Sequence, residues 1–141
     1  MANGARQSSD PGGLAATTFF SKTYDEANAL LIEARAYIAT ARTRPRERPA
    51  MALLHSVETM RLTARLGQIM AWLFVQRAMH AGELTLEEVR GAAHRLAGHE
   101  VCLDAGGEDA VFLAPSLRDL LARSRKLYRR VSRLDEMIAR D

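Results

Sequence analysis

With 141 residues, 48% of them hydrophobic, the chain has room for one domain with a real core and no need of disulfides. Its one cysteine, Cys102, excludes an internal disulfide; Met1 to Ser21 lacks the apolar run of a secretory signal; and the longest apolar run, Ile69 to Val75, falls far short of the roughly 20 residues that span a bilayer. A soluble cytoplasmic protein without membrane partners is expected. Net charge is only +3, and all but two of the 20 basic residues are arginine, a bias that, beside the abundant alanine, reads first as the mark of GC-rich bacterial coding.

Met1 to Thr18 is glycine, serine and alanine around Asp10-Pro11-Gly12-Gly13, too poor in apolar residues to pack, and is expected to be a disordered tail; residues 19–141 form the helical domain. From Phe19 the pattern changes. Phe20, Tyr24, Ala27, Leu31, Ala34, Ile38 and Ala41 recur at spacings of three and four, which predicts a helix from about Lys22 to Arg42 with Ser21 as its N-cap. Thr43 to Arg48, bracketed by Pro45 and Pro49, is a charged linker short enough to make the flanking helices antiparallel neighbours.

Pro49 to Gly82 predicts one long helix, for only Gly67 interrupts it before Gly82 closes it. At about 100° per residue, Leu53, Val57, Met60, Ala64, Gly67, Ala71, Val75 and Ala78 share one side and Leu62, Leu66, Ile69 and Leu73 the opposite one. Two apolar stripes call for cover on two sides, from the same chain or from a second copy. The all-aliphatic stripe, Leu62, Leu66, Ile69 and Leu73, is the candidate dimer seam. Between the stripes runs a ridge of Glu58, Arg61, Arg65, Gln68, Trp72 and Gln76. Arg and Trp are the types enriched at interface hot spots, so Arg61, Arg65, Gln68 and Trp72 are candidate partner contacts; equally, Glu58 to Arg61 at i,i+3 fits a local ion pair, with Trp72 closing the core.

Beyond Gly82, Thr85 and Glu88 have capping-box spacing and open a short helix with Leu86, Val89, Ala93 and Leu96 inward, ending near Gly98. Val101 to Leu103 and Ala110 to Leu113 flank a turn-rich loop and read as coil, or a small hairpin, over the bundle end. Pro115-Ser116 starts the last helix, with Ser116 and Asp119 again in capping-box spacing. One face is an apolar stripe from Leu117 to Ile138; the other carries seven basic residues between Arg118 and Arg133 against one acid, Asp119. The sum is an all-α chain: an antiparallel three-helix bundle with one additional short helix, expected to be dimeric.

Chemistry-bearing motifs are sparse. His94, His99 and Cys102 match no standard zinc spacing, Gly106-Gly107 lacks the phosphate-cradling pattern, and Cys102 has no histidine and acid that spacing can place beside it. No enzyme, cofactor or metal is expected. On the basic last helix, Arg118, Arg125, Arg129 and Arg133 are candidate contacts to an acidic protein surface. Nucleic acid is the weaker fit for lack of a recognition motif or interleaved aromatics.

The run from Glu58 to Leu66 (ETMRLTARL), then Ala71-Trp72-Leu73, Gln76-Arg77-Ala78 and Gly82-Glu83-Leu84-Thr85, resembles the core of the alphaproteobacterial regulator of CtrA degradation, the RcdA family; Ala97 to Cys102 and Ser124 to Glu136 are similar to its downstream segments. The resemblance covers about Phe19 to Asp135. It implies a non-catalytic homodimer that acts as an adaptor in regulated proteolysis: it joins a ClpXP protease primed by the response regulator CpdR and brings in cell-cycle regulators such as CtrA, or the cyclic di-GMP-binding adaptor PopA. It also implies concentration at a cell pole. Members of that family continue past the last helix in a flexible extension, whereas this sequence stops at Asp141, a departure that bears on the tethering role. The competing expectation is a nucleic-acid-associated helical regulator that uses the basic last helix.

Overall fold

A computed structural model describes residues 11–41, 47–104, 107, 108 and 110–140, with side chains from Thr18 onward. The described residues form three long helices, α1 (Pro11–Ala41), α2 (Pro49–His80) and α5 (Pro115–Arg140), with short α3 (Leu86–Arg90), a 3-10 turn (Ala92–His94) and α4 (His99–Cys102) between the last two. The chain is all-α, as its periodicities require.

Helix ends follow local chemistry. Pro49 sits in the first turn of α2, where its missing N–H costs nothing. At the other end Gly82 takes φ +80°, and the N–H groups of Gly82 and Glu83 donate to the carbonyls of Met79 and Ala78, closing the helix in a Schellman motif that only glycine enters freely. The expected capping box is complete: Glu88 N–H donates to the Thr85 hydroxyl and Thr85 N–H to the Glu88 carboxylate.

Three boundaries differ from expectation. Helix α1 begins at Pro11 rather than near Lys22, so residues 11–18 of the expected tail are helical: proline at a first helical position presets φ, and the alanines after it favour helix. Residues 1–10 of that tail, the expected helix end at Arg42, and 43–46 of the linker lie outside the described residues. Helix α5 starts at Pro115, which places Ser116 inside the helix, and Asp119 pairs with Arg123 instead of capping. The single short helix expected after Thr85 is broken at Gly91, whose ψ of 152° is extended; Leu86 and Ala93 are exposed while Val89 and Leu96 stay inward.

Directions follow from the cross-links. Arg123 and Arg130 of α5 bind Glu33 and Glu26 of α1, so these two helices are antiparallel. Arg65 and Trp72 of α2 bind Leu121 and Asp135 of α5, so those two are parallel. Residues 81–114 are therefore a crossover that runs back between α2 and α5, tied to α5 through Arg90 to Ile138, Arg95 to Asp135, Ala97 to Tyr128 and Leu103 to Arg125. The core holds Ala27, Leu30 and Ala34 of α1, Leu62, Leu66, Ile69 and Leu73 of α2, and Leu117, Leu121, Leu127, Tyr128 and Val131 of α5. Each large aliphatic there contributes about 1.5–3 kcal/mol of burial.

Candidate functional site

Helix α2 meets three surroundings, and they decide what its residues can do. The side facing α1 and α5 takes Leu62, Leu66, Ile69 and Leu73, all buried within the one chain. The candidate dimer seam is thus corrected: these four leave no atoms for a second copy, because α1 and α5 already cover them.

The polar ridge is covered too, by the crossover. Arg65 is fully buried; its Nε donates to the Cys102 carbonyl (2.6 Å), one terminal nitrogen to the carbonyl of Leu121 (2.8 Å) and the Ser124 hydroxyl (3.3 Å), and the other to the Asp104 carbonyl. Burial holds its pKa below the usual guanidinium value. The Trp72 indole donates to Asp135 Oδ1 at 3.0 Å, while Arg95 donates to Oδ2 at 2.9 Å. Gln68 accepts from Ala97 N–H at 3.2 Å. Arg61 bridges Glu58 (2.6 Å) and Asp104 (3.0 Å). A short irregular segment carries backbone groups with no helix to satisfy them, and a row of long polar side chains supplies the partners. Arg65 and Trp72 are consequently not partner contacts, and Arg61 and Gln68 are occupied at home.

The third side of α2 faces solvent. Leu53 (65% exposed), Val57, Met60 (70%), Ala64, Gly67, Ala71, Phe74, Val75 and Ala78 line it with Ser56 and Thr63, and no charged residue falls among them. Beside Gly67 it opens into a groove of about 440 Å³ against α1, walled by Leu31, Ala34, Ile38, Thr63, Leu66 and Met70 with Arg35 at its edge. Phe74, absent from both stripes read in the sequence, lies one turn round from Met70 and meets Tyr24 with the rings tilted by 54° and their centroids 6.3 Å apart.

The basic candidates on α5 divide. Arg125 donates to the Leu103 carbonyl (2.7 Å) and lies 3.5 Å from Glu108, so its charge is engaged within the chain, while Arg118 is half-buried with its Nε buried and without a hydrogen-bond partner. Arg129 and Arg133 are exposed. Cys102 is buried beside Tyr128, with its thiol pKa raised first by desolvation. His99 stacks edge-on against Tyr128 and its Nε2 lies 3.3 Å from the Ser132 hydroxyl. Among the described residues no three His, Cys, Asp or Glu side chains converge on one point, and no helix is long and apolar enough to cross a membrane.

What the described side chains do chemically is bind one another and leave one long apolar face uncovered. The model of a protein family of unknown function, DUF1465, matches residues 13–141. The chain belongs to that family. The match takes in nearly all of α1 and the whole of α2, the crossover and α5, so the buried seam, the bare face and the basic helix all lie within the family's extent. No curated protein and no solved structure matches the chain.

Proposed function

We propose that this protein is a non-catalytic, homodimeric adaptor in regulated proteolysis, which helps deliver CtrA-like cell-cycle regulators to a ClpXP protease primed by a CpdR-like response regulator. The pathway rests on the resemblance of the Glu58–Leu66, Ala71–Leu73, Gln76–Ala78 and Ser124–Glu136 segments to the RcdA family, and membership in DUF1465 is compatible with it. The observation that supports docking rather than catalysis is the uncharged outer face of α2. It runs from Leu53 to Ala78, some 38 Å of helix at 1.5 Å per residue.

The occupant we assign to that face is a second copy of the chain. Gly67 lies near its middle, flanked by Ala64 and Ala71, so two α2 helices related by a two-fold axis there approach closely, with Leu53, Met60 and Phe74 packing to either side. A stable dimer needs about 800 Å² from each partner, within reach of a face this long joined to the α1 groove. Partner docking then falls to the surfaces left over, including α5. A polar cytoplasmic location belongs to the same proposal.

The test is reconstituted ClpXP degradation of a CtrA-like cargo with the response regulator present, with and without this protein. Cargo loss that accelerates only when both factors are added supports the reading. Unchanged degradation of a panel of cell-cycle regulators overturns it and leaves fold and dimer to stand separately.

A further inference from the structure

We infer that α5 carries a docking ridge for an acidic α-helix on a partner protein, built from Lys126, Arg129, Arg133 and Arg140. This inference is independent of the ClpXP reading, since it rests on how the chain disposes of its own cations.

Three of the eight basic residues of α5 are used internally, and a fourth, Arg118, is half-buried. Arg123 holds Glu33 (2.6 Å) and Asp119 (2.9 Å), Arg130 holds Glu26, Arg125 holds Leu103 and Glu108, and Arg118 is partly covered with its Nε buried. The other four, Lys126, Arg129, Arg133 and Arg140, are exposed, and none forms an ion pair among the described residues. Lys126, Arg129, Arg133 and Arg140 are spaced three, four and seven apart, which sets them in one line along about 21 Å of helix. Ala122 and the exposed Met137 fall on the same line. That is the spacing of a helix-packing seam, with cations in place of most of its apolar residues.

Lys126 and Arg129, and Arg129 and Arg133, are like charges three and four apart, which repel on a helix. On the row only Glu136, near Arg133 and Arg140, relieves this, and an opposing row of carboxylates removes that repulsion. The row is one side chain wide. Glu136 lies beside it on α5 without an ion pair, and Asp119, Glu33 and Glu26 stand along the α1 side, each held by Arg123 or Arg130. A nucleic-acid duplex, with phosphates spread over a broad surface, would bring some of them against these carboxylates, and no aromatic side chain on the ridge offers a base to stack on. A single acidic helix avoids both problems: its glutamates at the same spacing meet the cations, and its flanks clear the acids.

The probe is a labelled alanine-based peptide of about four turns with glutamates at i, i+4, i+7 and i+11, compared by fluorescence anisotropy with an isomer whose glutamates are spread around the helix and with a short DNA duplex, at about 50 mM salt. The one-faced peptide is expected to bind at least about fivefold tighter than its isomer and tighter than the duplex. A Lys126→Glu, Arg129→Glu, Arg133→Glu variant is expected to lose at least about tenfold. Arg77→Glu, a reversal at an exposed cation on α2, is expected to change nothing. Circular dichroism checks that the triple variant folds; should it not, the triple Gln variant replaces it. Equal binding of the two peptides, no binding of either, or loss of none of it in the variant overturns the inference. A duplex that binds tightest and is lost on the same reversal overturns it in favour of a phosphate-bearing partner.

Discussion

The guanidinium of Arg65 donates to the main-chain carbonyl of Leu121 at 2.8 Å, so a charge on α2 crosses the interior to reach the backbone of α5. Among the described residues no carboxylate forms an ion pair with it, although Glu108 acts on it from nearby; main-chain carbonyls of Cys102, Asp104 and Leu121 and the Ser124 hydroxyl share the charge. Arg65→Met is expected to cost about 2–3 kcal/mol, because it removes the donors that hold the crossover at Cys102 and Asp104 but also removes a buried charge. Arg65→Lys is expected to cost more than Met, since an ammonium keeps the buried charge yet lacks the planar fork that reaches several carbonyls. Urea midpoints of the two variants decide it, and a lysine variant more stable than the methionine one would contradict this account of the seam.

Gly107 lies against Glu58 for want of space rather than for unusual φ. A Cβ there would sit 2.2 Å from Glu58 Oε2 and 2.9 Å from its Cγ. Glu58 cannot swing away without leaving Arg61, which it binds at 2.6 Å. Gly107→Ala is therefore expected to destabilise by about 1–3 kcal/mol, the range of overpacking a filled site. The coupling is the sharper readout. In a Glu58→Ala background the same substitution should be nearly neutral, and a double-mutant cycle with no interaction energy would refute the contact.

How much of this was legible in the sequence depends on what a residue's neighbours are. Most signals local to the chain read correctly: Pro49, Gly82 and the Thr85 to Glu88 box fixed helix ends because each acts on backbone groups within a few residues, whereas the Ser21 cap and the Ser116 to Asp119 box were overridden by helices that begin earlier, at Pro11 and Pro115. The faces of α2 were legible too, but not what covers them. Leu62, Leu66, Ile69 and Leu73 looked like a subunit seam and are the chain's own core, and Arg65 and Trp72 looked like surface anchors and are interior struts. The reversals have different covers but one cause, long-range packing. Helices α1 and α5 close over the aliphatic stripe, while the crossover lays irregular backbone over the ridge, where Arg65 supplies donors, and Trp72 reaches Asp135 of α5. One signal was present: Arg65 is flanked at i−3, i+1 and i+4 by Leu62, Leu66 and Ile69, which fixes its stem in the core and forces its head to find partners there.

Gly67 separates the proposed dimer from the fold. A Cβ built there meets nothing within 4 Å, and the residue is exposed near the middle of a helix. Gly67→Leu is expected to stabilise the monomer by up to about 1 kcal/mol through helix propensity. The same side chain would stand between two α2 helices that cross at this point. Light scattering should then report half the mass of the parent protein at concentrations where the parent is dimeric, with an unchanged helical spectrum. A leucine variant of undiminished mass would move the subunit contact to another face.

The last prediction concerns alkaline pH. Burial, ahead of the nearby Arg65 charge and the Tyr128 hydrogen bond, raises the Cys102 thiol above its usual value. Burial, then Cys102, raises the Tyr128 phenol, whose hydroxyl donates to the Ala97 carbonyl at 2.5 Å. Both groups thus hold their protons more tightly in the folded chain than in the unfolded one. Below about pH 8.5 both states keep both protons and this contribution to stability is complete. Above it the unfolded chain releases the thiol proton first, and above about pH 10 the phenol proton as well, so stability falls as pH rises by up to about 1.4 kcal/mol per pH unit for each group until the folded groups titrate. The urea midpoint should be flat from about pH 7 to 8, fall from about 8.5, and steepen beyond 10. Cys102→Ala is expected to remove the first part of that fall and Tyr128→Phe the second, each lowering the neutral-pH plateau by about 1 kcal/mol through lost packing or the lost hydrogen bond. A parent midpoint that stays level through about pH 10.5 would mean that the unfolded chain gains nothing by ionising these groups, and the buried pair behind α4 would then have to be more open to solvent than its burial among α2, α4 and α5 allows.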